Sequence, residues 1–204
     1  MVNFLFFIVV TTDFFGSYNK ICTIILTVKV KNILQKHLEV FCMNRVSKHN
    51  YYLDIAQTVS ERATCLRRRF GAIIVKNDTI ISTGYNGAPR GRMNCTDIES
   101  CIREKMNIPR GERYELCRSV HAEANAIIAA ARENMLGSTL YMCCTDPKTG
   151  DIVGSICSCS MCKRLIINAG ITEVITREDK DHFTIHSVSD WVSNDESING
   201  TLGY

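Results

Sequence analysis

Val120-His-Ala-Glu-Ala-Asn-Ala-Ile-Ile128 is followed by further alanines and then by Gly137. The alanines and the closing glycine predict a helix over His121 to about Met135. Its first turn carries a histidine and a carboxylate two residues apart. A second helix is predicted over Ser160 to Ala169, closed by Gly170 and opened by Cys159-Ser-Met-Cys162. Between them Ser138 to Cys144 reads as a strand, and Ile171 to Thr176 reads as another by its β-branched content. This helix–strand–helix–strand run decides the fold class, because a strand, a crossover helix and a second strand make a parallel pair.

Outward from that core, Phe70-Gly-Ala-Ile-Ile-Val-Lys76 and Thr79-Ile-Ile-Ser-Thr-Gly84 form a hairpin across the Asn77-Asp78 turn. From Asn50 to about Thr64 the residues Tyr52, Ile55, Ala56, Val59 and Ala63 recur at helical spacing. The order is helix, strand, strand, helix, strand, helix, strand. It predicts an α/β fold, a mixed sheet with helices on its faces. Residues 85 to 118, rich in Gly, Arg and Cys, are too long for an idle connection and are either functional or tied down.

The ends read differently. Residues 1–42 contain the apolar run Phe4 to Val10, too short to span a bilayer and without a basic flank. A weak membrane or targeting segment and a translated leader with no folded role are the two readings. Organised patterning begins only after Met43, which favours the second, so residues 43–192 are taken as the catalytic domain. From about Ser187 the chain is polar apart from Val188, Trp191 and Val192, and residues 193–204 form a polar tail.

The 204 residues suit one substantial domain, with 46% hydrophobic and 22% charged residues. A net charge of +3 gives no reason to expect nucleic acid as a bulk partner. Eleven cysteines, an odd number, with a Cys-x-x-Cys and a histidine argue for zinc thiolates in a reducing compartment.

His121, Cys159 and Cys162 are three ligands for a tetrahedral zinc, and three ligands leave a fourth position for water. Glu123 is then the proton shuttle for that water. Positions two apart on a helix point about 200° apart. His121 and Glu123 can therefore share a ligand only over the helix N-terminus, where both helix starts would favour thiolate at the cysteines. The alternative is a closed structural site with Cys157 as the fourth ligand. A structural site gives Glu123 no role.

Further pieces make a resemblance specific. They are Arg62-Ala-Thr-Cys65, Phe70 to Val75, Ile81-Ser-Thr-Gly-Tyr-Asn-Gly87 with Pro89-Arg-Gly91, Val120 to Ile128, and Cys159 to Gly170. Together they resemble deoxycytidylate (dCMP) deaminase of the cytidine deaminase superfamily over more than half of the chain. The resemblance implies a three-layer cytidine-deaminase-like fold and hydrolysis of dCMP to dUMP and ammonia in pyrimidine deoxynucleotide metabolism. It implies one catalytic Zn2+ on His121, Cys159 and Cys162, with Glu123 as proton donor. It also implies a cytoplasmic homo-oligomer, often a hexamer, activated by dCTP and inhibited by dTTP, with no nucleic acid and no membrane. Asn86 matches an asparagine that touches the sugar in related deaminases; read locally, it is equally a turn asparagine before Gly87. Alternatives are a zinc deaminase for another base, such as tRNA adenosine, and a non-catalytic zinc-stabilised binding protein.

Two departures stand out. Ser158 occupies a place where relatives carry proline; serine is a good N-cap, so the helix start can survive. The segment Cys143 to Ile156 lengthens the path between the two zinc elements. Finally, Cys65, Cys95, Cys101 and Cys117 surround the long segment and suggest a second, structural zinc. Their other reading is small buried residues, one or two of them free. One or two of the segment's arginines can fork onto a 5′-phosphate, while Arg67-Arg68-Arg69 reads as a solvated or partner-facing run.

Overall fold

The computed structural model describes residues 45–109 and 111–195. Residues 1–44 and 196–204, on which the leader and most of the tail readings fall, lie outside the described residues. Among the described residues no helix is long and apolar enough to cross a membrane.

Helix α1 (Lys48–Ser60) starts where the Ser47 hydroxyl accepts the Asn50 amide at 3.2 Å. It ends four residues earlier than its spacing suggests. The Glu61, Arg62 and Ala63 amides fold back onto the carbonyls of Thr58, Val59 and Ser60, a tightened last turn. Strands β1 (Arg69–Lys76) and β2 (Thr79–Tyr85) form the hairpin. Strand β3 (Thr139–Thr145) pairs antiparallel with β1 and parallel with β4 (Glu173–Arg177). Strand β5 (Phe183–Ser187), which the sequence reading misses, closes the order β2-β1-β3-β4-β5.

The central strands are buried on both faces, so each alternates between two apolar layers. Ala72, Ile74, Leu140, Met142, Cys144 and Val174 face one layer, with residues of the helices near the site. Ile73, Val75, Tyr141, Cys143 and Ile175 face the other, against Tyr52, Leu53 and Ala56 of α1. Each fully buried Ile or Leu here contributes about 1.5–3 kcal/mol by area burial. The result is the expected α/β arrangement, a mixed sheet with helices on both faces.

Four smaller elements correct the sequence reading. The predicted helix from His121 to Met135 is two helices, α3 (Ala122–Ile128) and α4 (Arg132–Met135). Alanine favours continuous helix, so the break is imposed by tertiary packing: Met135 turns into the core at 3% exposure, and the Gly137 amide bonds the Gly170 carbonyl at 2.8 Å. The long segment contains the short helix α2 (Ile102–Lys105) and a 3-10 turn (Tyr114–Leu116). Helix α5 (Ser160–Ala169) ends on Gly170 at φ +78° as its sequence predicts. After β5 the chain forms helix α6 (Val188–Ser193), which uses the apolar residues of this polar stretch: Val188 is buried and Trp191 lies under the Lys163 ammonium, 5.3 Å from the ring centre.

Two glycines set the layers close. A β-carbon at Gly71 would collide with the Ala56 carbonyl of α1. One at Gly84 would collide with the Ala122 carbonyl and the Ala126 amide of α3. Helix α3 therefore lies directly on the backbone of β2, which fixes the height of its first turn above the sheet.

Candidate active site

The site lies at the end of the sheet where β1 begins and β2 and β3 stop. Helices α3 and α5 both open there. Gly87 and Val120 exchange two backbone hydrogen bonds, 3.2 and 2.8 Å, which close the base of the long segment and deliver the chain to His121. His121 is the N-cap of α3 in extended backbone, and Cys159 holds the same position on α5. Neither cap makes a side-chain cap hydrogen bond, so both side chains are left for other partners.

Those partners are each other. Cys159 Sγ lies 3.5 Å and Cys162 Sγ 3.4 Å from His121 Nδ1. Donor atoms of all three residues fall within 4.8 Å of one another. Among the described residues they are the only group of three or more His, Cys, Asp or Glu side chains so gathered. One nitrogen and two sulfurs match the chemistry of a tetrahedral zinc site and leave one position open. The thiols are not equivalent. Cys159 is pulled far below its ordinary value, first by a hydrogen bond with Cys162 and then by His121. Cys162 is pushed up, first by that same bond with Cys159. Burial lowers His121, but its bond to Cys159 and the charge of Glu123 outweigh burial and raise it. Donors this close, competing for few protons, form a cluster ready to exchange protons for a cation.

Glu123 sits in the first turn of α3 at 4% exposure. Burial pushes its carboxyl up, opposed mainly by the charge of His121. This is the helix-start geometry the two-residue spacing requires. Ser158 does not cap α5, because Cys159 takes that position; the residue is 3% exposed, and its hydroxyl lies toward the Glu123 carboxyl, where hydrogen bonding favours the charged form.

The cluster opens into a cleft of about 430 Å³. Asn86 lines it at 6% exposure. Its Oδ1 accepts the Phe70 amide at 2.8 Å and its Nδ2 donates to the Arg68 carbonyl at 3.0 Å. The asparagine thus extends the hairpin beyond its last rung, and each end keeps capacity for one further bond. Cys65, Cys95, Cys101 and Cys117 all line the same cleft. Each is near enough to disturb the ionisation of its neighbours, yet they make no gathered donor set like the first. Burial raises the thiols of Cys95 and Cys117. Cys143 and Cys144 are fully buried β3 residues, as read from sequence.

Four cleft residues escape the sequence reading. Tyr114, on the 3-10 turn, meets the His121 ring edge-on with centroids 5.3 Å apart. The Arg103 guanidinium lies over the Tyr114 ring, 4.4 Å from its centre; the residue is 5% exposed and donates to the carbonyls of Pro109 and Glu112. It is the internal anchor of the long segment. Arg67 and Arg68, expected on a solvated run, instead line the cleft, paired with Glu104 at 3.3 Å and Asp146 at 2.8 Å. No periodicity marks these residues; only a hydrophilic loop's unusual length hinted at them.

Comparison with known proteins bears on this geometry. The family described as cytidine and deoxycytidylate deaminase zinc-binding region matches residues 46–178. The chain is 33% identical over 131 residues to the deoxycytidylate deaminase of Schizosaccharomyces pombe, covering 64% of this chain but 37% of that protein. It is 35% identical over 138 residues to the deoxycytidylate deaminase of Mycobacterium phage D29, covering 65% of this chain and 96% of that one. The Saccharomyces cerevisiae deoxycytidylate deaminase is 29% identical over 164 residues, covering 78% and 48%. The chain thus spans less than half the length of the two yeast relatives and nearly all of the phage one. Among solved structures, the apo dCMP deaminase of cyanophage S-TIM5 is 26% identical with a TM-score of 0.44, covering 76% of this chain and 91% of that one. The matched region contains both helix starts, the hairpin below them and the whole cleft wall, and on that match the chain belongs to the family of zinc-binding cytidine and deoxycytidylate deaminases.

Proposed function

We propose that the protein hydrolyses dCMP to dUMP and ammonia, with His121, Cys159 and Cys162 holding a catalytic zinc. One observation carries the reading: a buried carboxyl, Glu123, one turn-start away from a His/Cys/Cys cluster and open to a cleft. When bound, the ion acidifies a water at its fourth position and so supplies a nucleophile at neutral pH. Glu123 takes a proton from the attacking water and delivers it to the ring nitrogen. A second proton passes through the same carboxyl to the amino group, which leaves as ammonia. Burial raises the pKa of this carboxyl, so it holds a proton more readily than an exposed carboxylate, which suits a group that must both accept and return one. Asn86, fixed by Phe70 and Arg68, offers its remaining capacity to the sugar.

The choice of dCMP follows the three relatives named above, all deoxycytidylate deaminases. We extend the reading to a cytoplasmic homo-oligomer, a hexamer regulated by dCTP and dTTP. Exposed apolar side chains support association: Ile128 at the end of α3 is 77% exposed and Leu165 on α5 is 44% exposed. Cys65, Cys95, Cys101 and Cys117 are taken as ligands of a structural zinc that ties down the long segment, and residues 43–192 as the catalytic domain. A chain beginning at Met43 should keep its zinc and its turnover; failure to fold would place earlier residues within the domain.

The deciding test is ammonia release by the zinc-loaded protein on dCMP, cytidine, dCTP and a tRNA anticodon hairpin, with and without the two triphosphates. Turnover of dCMP alone is expected, raised by dCTP and lowered by dTTP. Turnover of the hairpin instead, or of none of the four, would overturn the assignment.

A further inference from the structure

The path from β3 to α5 is a long connection, and the structure shows what its residues build. From Asp146 the chain turns tightly. The Gly150 amide bonds the Asp146 carbonyl at 2.9 Å, and the Asp146 amide bonds the Asp151 carbonyl at 2.9 Å. The return arm pairs Ile152 with Thr145, and the Val153 amide bonds the Cys144 carbonyl at 2.9 Å. Farther on, the Ser155 amide donates to the Glu178 carboxylate, and Gly154 lies against the Glu178 backbone with no room for a β-carbon. Ile156 then enters the core at 6% exposure. The segment is a fixed wall, tied to the sheet at both ends. It faces the cleft with Asp146, Pro147, Lys148, Val153, Ile156 and Cys157.

The charges on the cleft are unequal in their freedom. Arg67 is paired with Glu104 and Arg68 with Asp146. Arg103 is buried and committed to two carbonyls. Arg118 spends its Nε on the Met93 carbonyl at 2.9 Å. Lys148 Nζ makes no ion pair or hydrogen bond among the described residues. Asp146, which feels the Lys148 charge without pairing with it, is already engaged by Arg68 and by the Lys148 backbone amide at 2.9 Å. The backbone of the turn is therefore fixed while its ammonium remains available. An ammonium on a flexible stem binds phosphate as a point charge and needs no planar fork geometry.

We propose that Lys148 takes the 5′-phosphate of the substrate, and that this wall thereby selects nucleotides over nucleosides. The inference rests on the proposed function only for placing the base at His121 and Glu123. A cleft of about 430 Å³ falls within the usual range for a small-ligand site.

Calorimetric titration of the zinc-loaded protein with dUMP and with deoxyuridine tests this without requiring turnover. Wild type should bind dUMP more tightly than deoxyuridine. Lys148→Ala should weaken dUMP about 10- to 100-fold, the range for a lost charge-assisted hydrogen bond, and leave deoxyuridine unchanged. Lys148→Arg should restore most of the loss, and Arg118→Ala should change dUMP less than about threefold. Equal dUMP affinity in wild type and Lys148→Ala overturns the proposal, as does a loss confined to Arg118→Ala or a wild type that does not distinguish the two ligands. Absent ammonia release alongside Lys148-dependent dUMP binding would instead strike at the reaction and leave this site standing.

Discussion

Two groups of cysteines face the same cleft, and only one of them is gathered. Cys159 and Cys162 stand at the start of α5, seated against α3 and the sheet, and come within 3.5 Å of His121 Nδ1. Cys65, Cys95, Cys101 and Cys117 belong to connecting segments and stay apart. The contrast shows what preorganises a donor set. Where regular elements rest on a packed core, the core sets the donors, and a ligand need only arrive. Where donors hang on chain with little core of its own, the ligand must supply the energy that gathers them. The first group is thus suited to a site that must keep its geometry through turnover, and the second to a staple.

The largest effect should come from removing a donor of the gathered set. Cys162→Ser or His121→Ala should take ammonia release to background, a fall exceeding about 10⁴-fold, with zinc lost from the catalytic position by mass spectrometry. The sheet should survive, because Cys162 is one small member of a large apolar layer and serine nearly keeps its volume. Glu123→Gln comes next. It should lower kcat by about 10²- to 10⁴-fold while zinc content and fold remain. Undiminished turnover in this variant would remove Glu123 from the chemistry.

Gly84→Ala probes the same contrast from below. It touches no donor, but the added methyl meets the backbone of α3 at Ala122 and Ala126. Overpacking of this kind costs about 1–3 kcal/mol. The melting temperature should fall, and zinc affinity should fall with it, because His121 and Glu123 ride on the displaced helix. A lower melting temperature with unchanged zinc affinity would mean that the height of α3 does not set the site.

The gathered group was legible because every part of it leaves a local mark. Spacing two on a helix demands a site over the N-terminus, and His121 with Glu123 obeys it. Gly170 marks the end of α5, and the unbroken Ile-Ile-Val run marks a strand buried on both faces. The illegible parts are those in which tertiary contact overrules local preference. Alanines from 129 to 131 favour helix, yet the chain breaks there so that Met135 can enter the core. Strand β5 has no clear alternation: Thr184 and Ile185 are both exposed, and pairing with β4 together with the packing of Phe183 on the α1 layer holds it. Ser158 looks like a cap and is not one, since which residue caps depends on where α5 begins. Tyr114 and Arg103 reach the site through a fold of the long segment that no periodicity encodes.

The staple gives the smallest expected effect and the sharpest test of the comparison. If the four cysteines share a zinc, wild type should carry two ions per chain, and Cys101→Ser should carry one. A loop closed by a metal gains stability chiefly by confining the unfolded chain, which for a stretch this long amounts to about 3–5 kcal/mol at most. Part of that is already supplied without metal, because Arg103 gathers the carbonyls of Pro109 and Glu112 and the Gly87–Val120 pair closes the base. Cys101→Ser should therefore lower the melting temperature by only a few degrees and alter kcat about twofold or less, while exposing residues 88–119 to faster proteolysis. One ion per chain in wild type, with proteolysis unchanged in Cys101→Ser, would return these cysteines to the status of small buried side chains. The contrast between the two groups would then be one of ligand against none, with Arg103, Arg118 and the Gly87–Val120 pair holding the segment over the site.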